Sequence, residues 1–118
     1  MESRELAVKI AAVLDKKKAM NLKVLDIREL TTLGDYFVIC NGTSSTHIKA
    51  LADEAEFQLK QEGVLPNHSE GYASASWILL DYGSVIVHVF TPDAKDFYSL
   101  ERLWSDAPEV ALPSGGEA

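Results

Sequence analysis

A chain of 118 residues, 47% hydrophobic and with a single cysteine, is the size of one domain that builds its core without disulfides or a cysteine-based zinc site. Eleven basic against eighteen acidic residues leave a net charge of −7, which excludes a general nucleic-acid binder, because phosphate contacts need clustered Lys and Arg, and favours basic partners. The apolar runs are too short to span a membrane, the mixed-charge residues 1–18 lack the apolar core of a secretory signal, and lone-cysteine usage suits a reducing compartment, so a cytoplasmic protein is expected.

Leu6, Ile10, Val13 and Leu14 recur at helical spacing, and Lys16, Lys17 and Lys18 follow where positive charge complements a helix C-terminus. This predicts an amphipathic first helix. Residues 22–27 alternate weakly as a short strand. Residues 35–41 are apolar without alternation, as in a central strand covered on both faces. The polar cluster of residues 41–46 supplies turn and N-cap candidates, after which Ile48, Leu51, Ala52, Ala55 and Leu59 mark one face of a long helix closed by Gly63. Residues 64–76, with Pro66, Asn67, Ser69 and Gly71, read as a mobile loop.

Residues 77–90 then set two strands rich in Val, Ile, Leu and aromatics around Gly83, whose freedom at positive φ suits a two-residue hairpin turn. Alternation puts Asp81 on the face of Trp77 and Leu79, and His88 on the face of Ile86 and Phe90. Thr91, Pro92 and Asp93 offer a helix start, and Phe97, Leu100, Leu103 and Trp104 continue at helical spacing to Pro108. A domain over residues 1–107 and a flexible tail over 108–118 are therefore expected, the tail because it holds two prolines and a Gly-Gly pair without periodicity. The predicted class is α/β, a mixed sheet of four or slightly more strands with packing helices in the order α-β-β-α-β-β-α. A crossover is expected from the central strand through the long helix to the Trp77 strand.

Several residues invite chemistry. Cys40 with His47, His68 and His88 could make a nucleophile or metal site, but the spacings match no ligand pattern, and a cysteine in a central strand is ordinarily a small buried hydrophobe. Asp26, Asp35 and Asp81 lie in or beside strands and could hold Mg²⁺ for nucleotidyl transfer, with Gly42, Thr43 and Ser44 as an anion-cradling turn before a helix. That signature is incomplete, since no phosphate-loop lysine follows. Trp77 and Tyr82 have a core reading and a binding reading. Asp81 favours binding, because an ionised carboxylate is costly to bury unpaired.

Four blocks, residues 24–28, 35–44, 77–83 with 87–90, and 97–104, resemble in order and spacing the ribosomal silencing factor family, also called the Iojap-like family. The resemblance implies a fold related to nucleotidyltransferases without their catalytic carboxylates: a binder, with no cofactor, metal or catalytic residue. It implies docking on the large ribosomal subunit through large-subunit protein fourteen, steric blocking of small-subunit joining, and repression of translation when nutrients are scarce. Two positions depart from the family pattern: Ser84, where an acid is common, and Lys95, where Arg is common and would form bidentate pairs that Lys cannot. On this basis Trp77, Leu79 and Tyr82 are expected as apolar anchors, and Asp81, Asp35 and Glu101 as partners for Lys or Arg of a basic protein. The same face could pair with a second copy of the chain when no ribosome is available. The competing functions are a large-subunit assembly factor and, less fitting, a small Mg-dependent nucleotidyltransferase.

Overall fold

The computed structural model describes residues 2–74, 76–94, 101–102 and 105–112. Helix α1 (Ser3–Lys16) buries Leu6, Ile10 and Leu14 of the predicted stripe together with Ala7 and Ala11, while Val13 is only half-buried. Strands β1 (Met20–Asp26) and β2 (Tyr36–Asn41) follow, then helix α2 (Ser45–Gln61). The Ser44 side chain caps α2 by accepting the His47 N–H at 3.1 Å, satisfying one of the N–H groups that a helix start leaves unpaired. Beyond the helix, Gly63 takes a φ of +78°. Strands β3 (His68–Glu70), β4 (Trp77–Asp81) and β5 (Val85–Phe90) complete a five-stranded sheet in the order β1-β2-β5-β4-β3.

β2 and β5 pair in parallel and the remaining neighbours are antiparallel. The sheet is mixed, as expected, but the crossover through α2 ends differently. The Trp77 strand is not the parallel partner of β2; β5 lies between them, so the hairpin enters the sheet by its second strand. Every residue of β2 and β5 is buried, which their unbroken apolar runs require.

Two cores lie on opposite faces of the sheet. On the helix side, Ile10, Leu14, Ile48, Leu51 and Leu59 meet Val38, Cys40, Ile78, Leu80, Val87 and Val89. On the other side, Leu25, Ile27, Phe37, Ile39, Ile86 and Phe90 form a second cluster that Ala94 joins, with Trp77, Leu79 and Ala107 packed against it half-buried. The polar side chain of Asn41 links three strands: it accepts from Asn21 Nδ2 at 3.0 Å and donates to the Phe90 carbonyl at 3.4 Å.

Three expectations need correction. Residues 64–76 are not a plain loop, because His68–Glu70 pair with Leu79–Asp81 as β3. Thr91 does not begin a helix by capping it: its N–H and hydroxyl both donate to the Ser76 carbonyl, at 2.9 and 3.4 Å, prolonging the hairpin pairing. Nor is the chain loose at Pro108. The Pro108 carbonyl accepts the Asp26 N–H at 2.9 Å, Glu109 bridges Leu25, and the Val110 N–H donates to Val24 at 2.7 Å while its side chain is buried in the helix-side core. Residues 101 and 102 are helical. Lys95, Phe97, Leu100, Leu103 and Trp104 of the predicted third helix, and the last six residues of the predicted tail, lie outside the described residues.

Candidate partner-binding site

Period-two alternation in β4 drives Ile78 and Leu80 into the helix-side core and turns Trp77, Leu79 and Asp81 together to the opposite face, all three half-buried. Their cross-strand partners on β5 are Phe90, His88 and Ile86. The result is a strip that runs the length of β4, apolar at the Trp77 end and anionic at the Asp81 end.

Trp77 is held from three directions. Its indole stacks on Phe90 with ring centroids 5.2 Å apart, and its Nε1–H donates to Nδ1 of His88 at 3.1 Å. From the loop side Gly71, at φ +94°, packs against its backbone so closely that a Cβ there would stand 1.9 Å from the Trp77 carbonyl oxygen. His88 is in turn buried, edge-to-face with Phe37 at 4.6 Å. Burial pulls its pKa down to about 4, so at neutral pH the ring is uncharged. With Nδ1 acting as acceptor, Nε2 carries the proton, and that N–H has no hydrogen-bond partner among the described residues.

At the other end, one carboxylate oxygen of Asp81 accepts the Gly83 N–H at 2.7 Å and so closes the turn in which Gly83 takes a φ of +86°. The Asp81 carbonyl receives the Asn67 N–H at 2.7 Å. Among the described residues no Lys or Arg pairs with this carboxylate. A half-buried anion held by the backbone and lacking a cation is electrostatically ready for one from outside.

The other expected site residues are elsewhere. Tyr82 lies on the helix side with Ile78 and Leu80, 9% exposed; its buried hydroxyl lacks a partner among the described residues, and burial, then the Glu56 charge, pushes its pKa up to about 12. It is a core residue and not an accessible anchor. Asp35 accepts from Ser3 Oγ at 3.0 Å and binds Ser84 through its backbone, tying the start of α1 to the sheet. Glu101 is exposed and lines a shallow hollow of about 210 Å³ with Lys23, Leu25 and Glu109, beside β1, with β2 and β5 between it and β4. His88 and Phe90, which set the Trp77 ring, were identifiable as its same-face neighbours from the hairpin register.

The residues considered for chemistry are occupied separately. Asp26 makes two side-chain bonds with Arg28, at 2.9 and 2.6 Å, which hold its pKa below the ordinary value. Cys40 is buried, and desolvation pushes its thiol up to about 12, so it holds little thiolate at neutral pH. In the turn before α2 the Thr43 N–H goes to His47 Nδ1 at 2.8 Å, the Gly42 N–H to the Phe90 carbonyl at 2.9 Å, and His47 Nε2 donates to the Lys17 carbonyl at 2.9 Å. His68 pairs with Glu70 within β3. Among the described residues no three His, Cys, Asp or Glu side chains are grouped to hold a metal, and no helix is long and apolar enough to cross a membrane.

The whole chain, residues 1–118, matches the family model described as "Ribosomal silencing factor during starvation". It is 37% identical over 115 residues to the ribosomal silencing factor RsfS of Bacillus subtilis, covering 98% of each chain. A crystal structure of a Chromobacterium violaceum protein superposes with a TM-score of 0.82 at 36% identity, covering 98% of this chain and 97% of that one. A more distant relative is the mouse "Mitochondrial assembly of ribosomal large subunit protein 1", 28% identical over 102 residues, or 81% of this chain and 43% of that protein. Sequence and fold agree: the chain belongs to the RsfS family of ribosomal silencing factors.

Proposed function

We propose that the protein docks on the large ribosomal subunit through large-subunit protein fourteen, in the cytoplasm, and blocks small-subunit joining by occupying space. No turnover is involved. The observation that carries this reading is the Trp77-Leu79-Asp81 strip, in which a buttressed aromatic and a leucine lie beside a carboxylate that no described cation neutralises. A basic ribosomal protein suits such a strip on an acidic chain. An interface of about 800 Å² per partner suffices for a stable complex, with the aromatic anchor carrying a large share of the energy. On this reading Trp77→Ala costs roughly 2 kcal/mol of binding, about thirtyfold in affinity.

The test is co-sedimentation of the wild type and Trp77→Ala with mature and precursor large subunits, coupled to a subunit-joining assay. Binding to mature subunits with loss of joining supports silencing. Binding confined to precursors supports the second reading, an assembly factor, which the name of the mouse relative favours. Heat on titration with ATP and Mg²⁺ would instead revive the nucleotidyltransferase reading. The same half-buried strip is also a surface for homodimer formation in the free protein; light scattering that gives a monomer at micromolar concentration refutes that part.

A further inference from the structure

We propose that His88 is a positioning residue for the docking strip: its Nδ1 lone pair fixes the Trp77 indole flat on Phe90, so that the partner meets an anchor already in place. This rests on the docking reading above. The geometry is unusual for a residue that serves only the core. His88 sits in the middle strand of the sheet, where Val or Ile would fill the space without a polar atom. Among the described residues its ring makes one hydrogen bond, the one received from Trp77 at 3.1 Å, and its buried Nε2–H makes none. A buried donor without a partner costs free energy, so a fold selected for stability alone would not need this ring.

The neighbours explain what the ring does for Trp77. Phe37 packs edge-to-face on His88 at 4.6 Å, while Phe90 lies nearly parallel to it, with planes 10° apart and centroids 6.1 Å apart. Trp77 stacks on Phe90 with planes 22° apart. Stacking restrains the tilt of the indole but suits either of two orientations a half-turn about χ2 apart; the Nε1–H to Nδ1 bond holds one of them and so selects which edge faces outward. An anchor ordered before binding avoids the entropic cost of ordering it on contact. The bond also requires the neutral ring with its proton on Nε2, the atom without a partner.

Three variants test this. His88→Leu removes the acceptor and the unpaired donor together. His88→Asn puts an amide oxygen near the Nδ1 position and restores an acceptor, whereas His88→Gln puts it near Nε2 and does not. The readouts are the Trp77 indole N–H resonance, assigned by comparison with Trp104→Phe, its exchange with water, and affinity for isolated large subunits.

The expected result is that His88→Leu shifts the indole proton upfield, speeds its exchange and weakens binding roughly fivefold, the worth of one neutral hydrogen bond. His88→Asn should retain the wild-type signal and affinity. If His88→Leu does not fold, the contrast between Asn and Gln decides the same point. An indole signal unmoved by loss of the acceptor overturns the proposal. So does a moved signal with unchanged affinity while Trp77→Ala still loses binding, which leaves the docking reading standing. If Trp77→Ala itself binds like the wild type, both fail.

Discussion

Acidification should destabilise this protein through one identifiable group. His88 in the folded chain has a pKa of about 4, set by burial, against about 6.5 for an unperturbed histidine. Between those values the unfolded chain holds a proton that the folded chain refuses, so stability falls as pH is lowered through this window and the loss is complete below it. At pH 4.5 the two-state relation gives a loss of about 2.5 kcal/mol relative to pH 7, a large part of a marginal stability. The assay is urea unfolding at closely spaced pH values for wild type and His88→Leu. Other groups titrate alike in both, so the difference between the curves isolates His88. It should rise by at most about 1.4 kcal/mol per pH unit, the slope for one proton. Parallel curves from pH 6.5 to 4.5 would refute the reasoning and show that the buried ring is charged or reaches water. Asp26 acts in a separate window: its lowered pKa contributes stability above the unfolded carboxylate value that is lost only as pH falls through the lower folded value.

Four further outcomes follow from the geometry. Gly71→Ala must move the chain away from the Trp77 carbonyl and strain a φ of +94°, so thermal or urea unfolding should show a loss of at least about 2 kcal/mol. Tyr82→Phe removes a buried hydroxyl without a partner; stability should stay level or rise by about 1 kcal/mol, with affinity for large subunits unchanged, whereas a clear loss of affinity would return Tyr82 to the site. Asp81→Asn keeps an oxygen for the Gly83 N–H but removes the charge, so the fold should persist while association slows at low ionic strength and becomes less sensitive to salt in stopped-flow measurements. Ser44→Ala removes the α2 cap and should cost about 1 kcal/mol by chemical denaturation, with no effect on docking.

Much of the fold was readable because its signals are local. The stripes of α1 and α2, the unbroken apolar run of β2, and Gly83 between two apolar strands each declare an element within a few residues. β3 was not readable: all three of its side chains are exposed, so no burial pattern shaped its sequence, and only the backbone of β4 defines it. The insertion of β5 beside β2 was hidden for a different reason. Parallel pairing is decided by contacts distant in sequence, and both hairpin strands are apolar enough to compete for that place.

The site shows the same division. Alternation along β4 was sufficient to unite Trp77, Leu79 and Asp81, and the same alternation assigns Tyr82 to the side of Ile78 and Leu80. Grouping Tyr82 with Trp77 followed nearness in sequence over strand geometry. Asp35 and Glu101 qualify by charge alone, which carries no information about which end or edge of a sheet a residue occupies. The role of His88 was concealed because an isolated histidine in a strand looks alike whether it supports a neighbour or fills space.

The parallel pairing of β2 with β5 also sets a timetable for the newborn chain. Asn41, at the end of β2, bonds across 49 positions to the Phe90 carbonyl at the end of β5. At a synthesis rate of 5–20 residues per second, about 2.5 to 10 s separate the appearance of these two partners. During that interval α2 and β4 emerge while β1 and β2 still lack the strand that fills the middle of their sheet, so one edge of β2 is without its pairing partner. The hairpin completes the sheet before residues 108–110 pair with β1, so the element that bears the proposed docking strip is also the one that fills the middle of the sheet. A chain cut short before residue 85 would carry the whole of β4 but lack the strand that holds it in place.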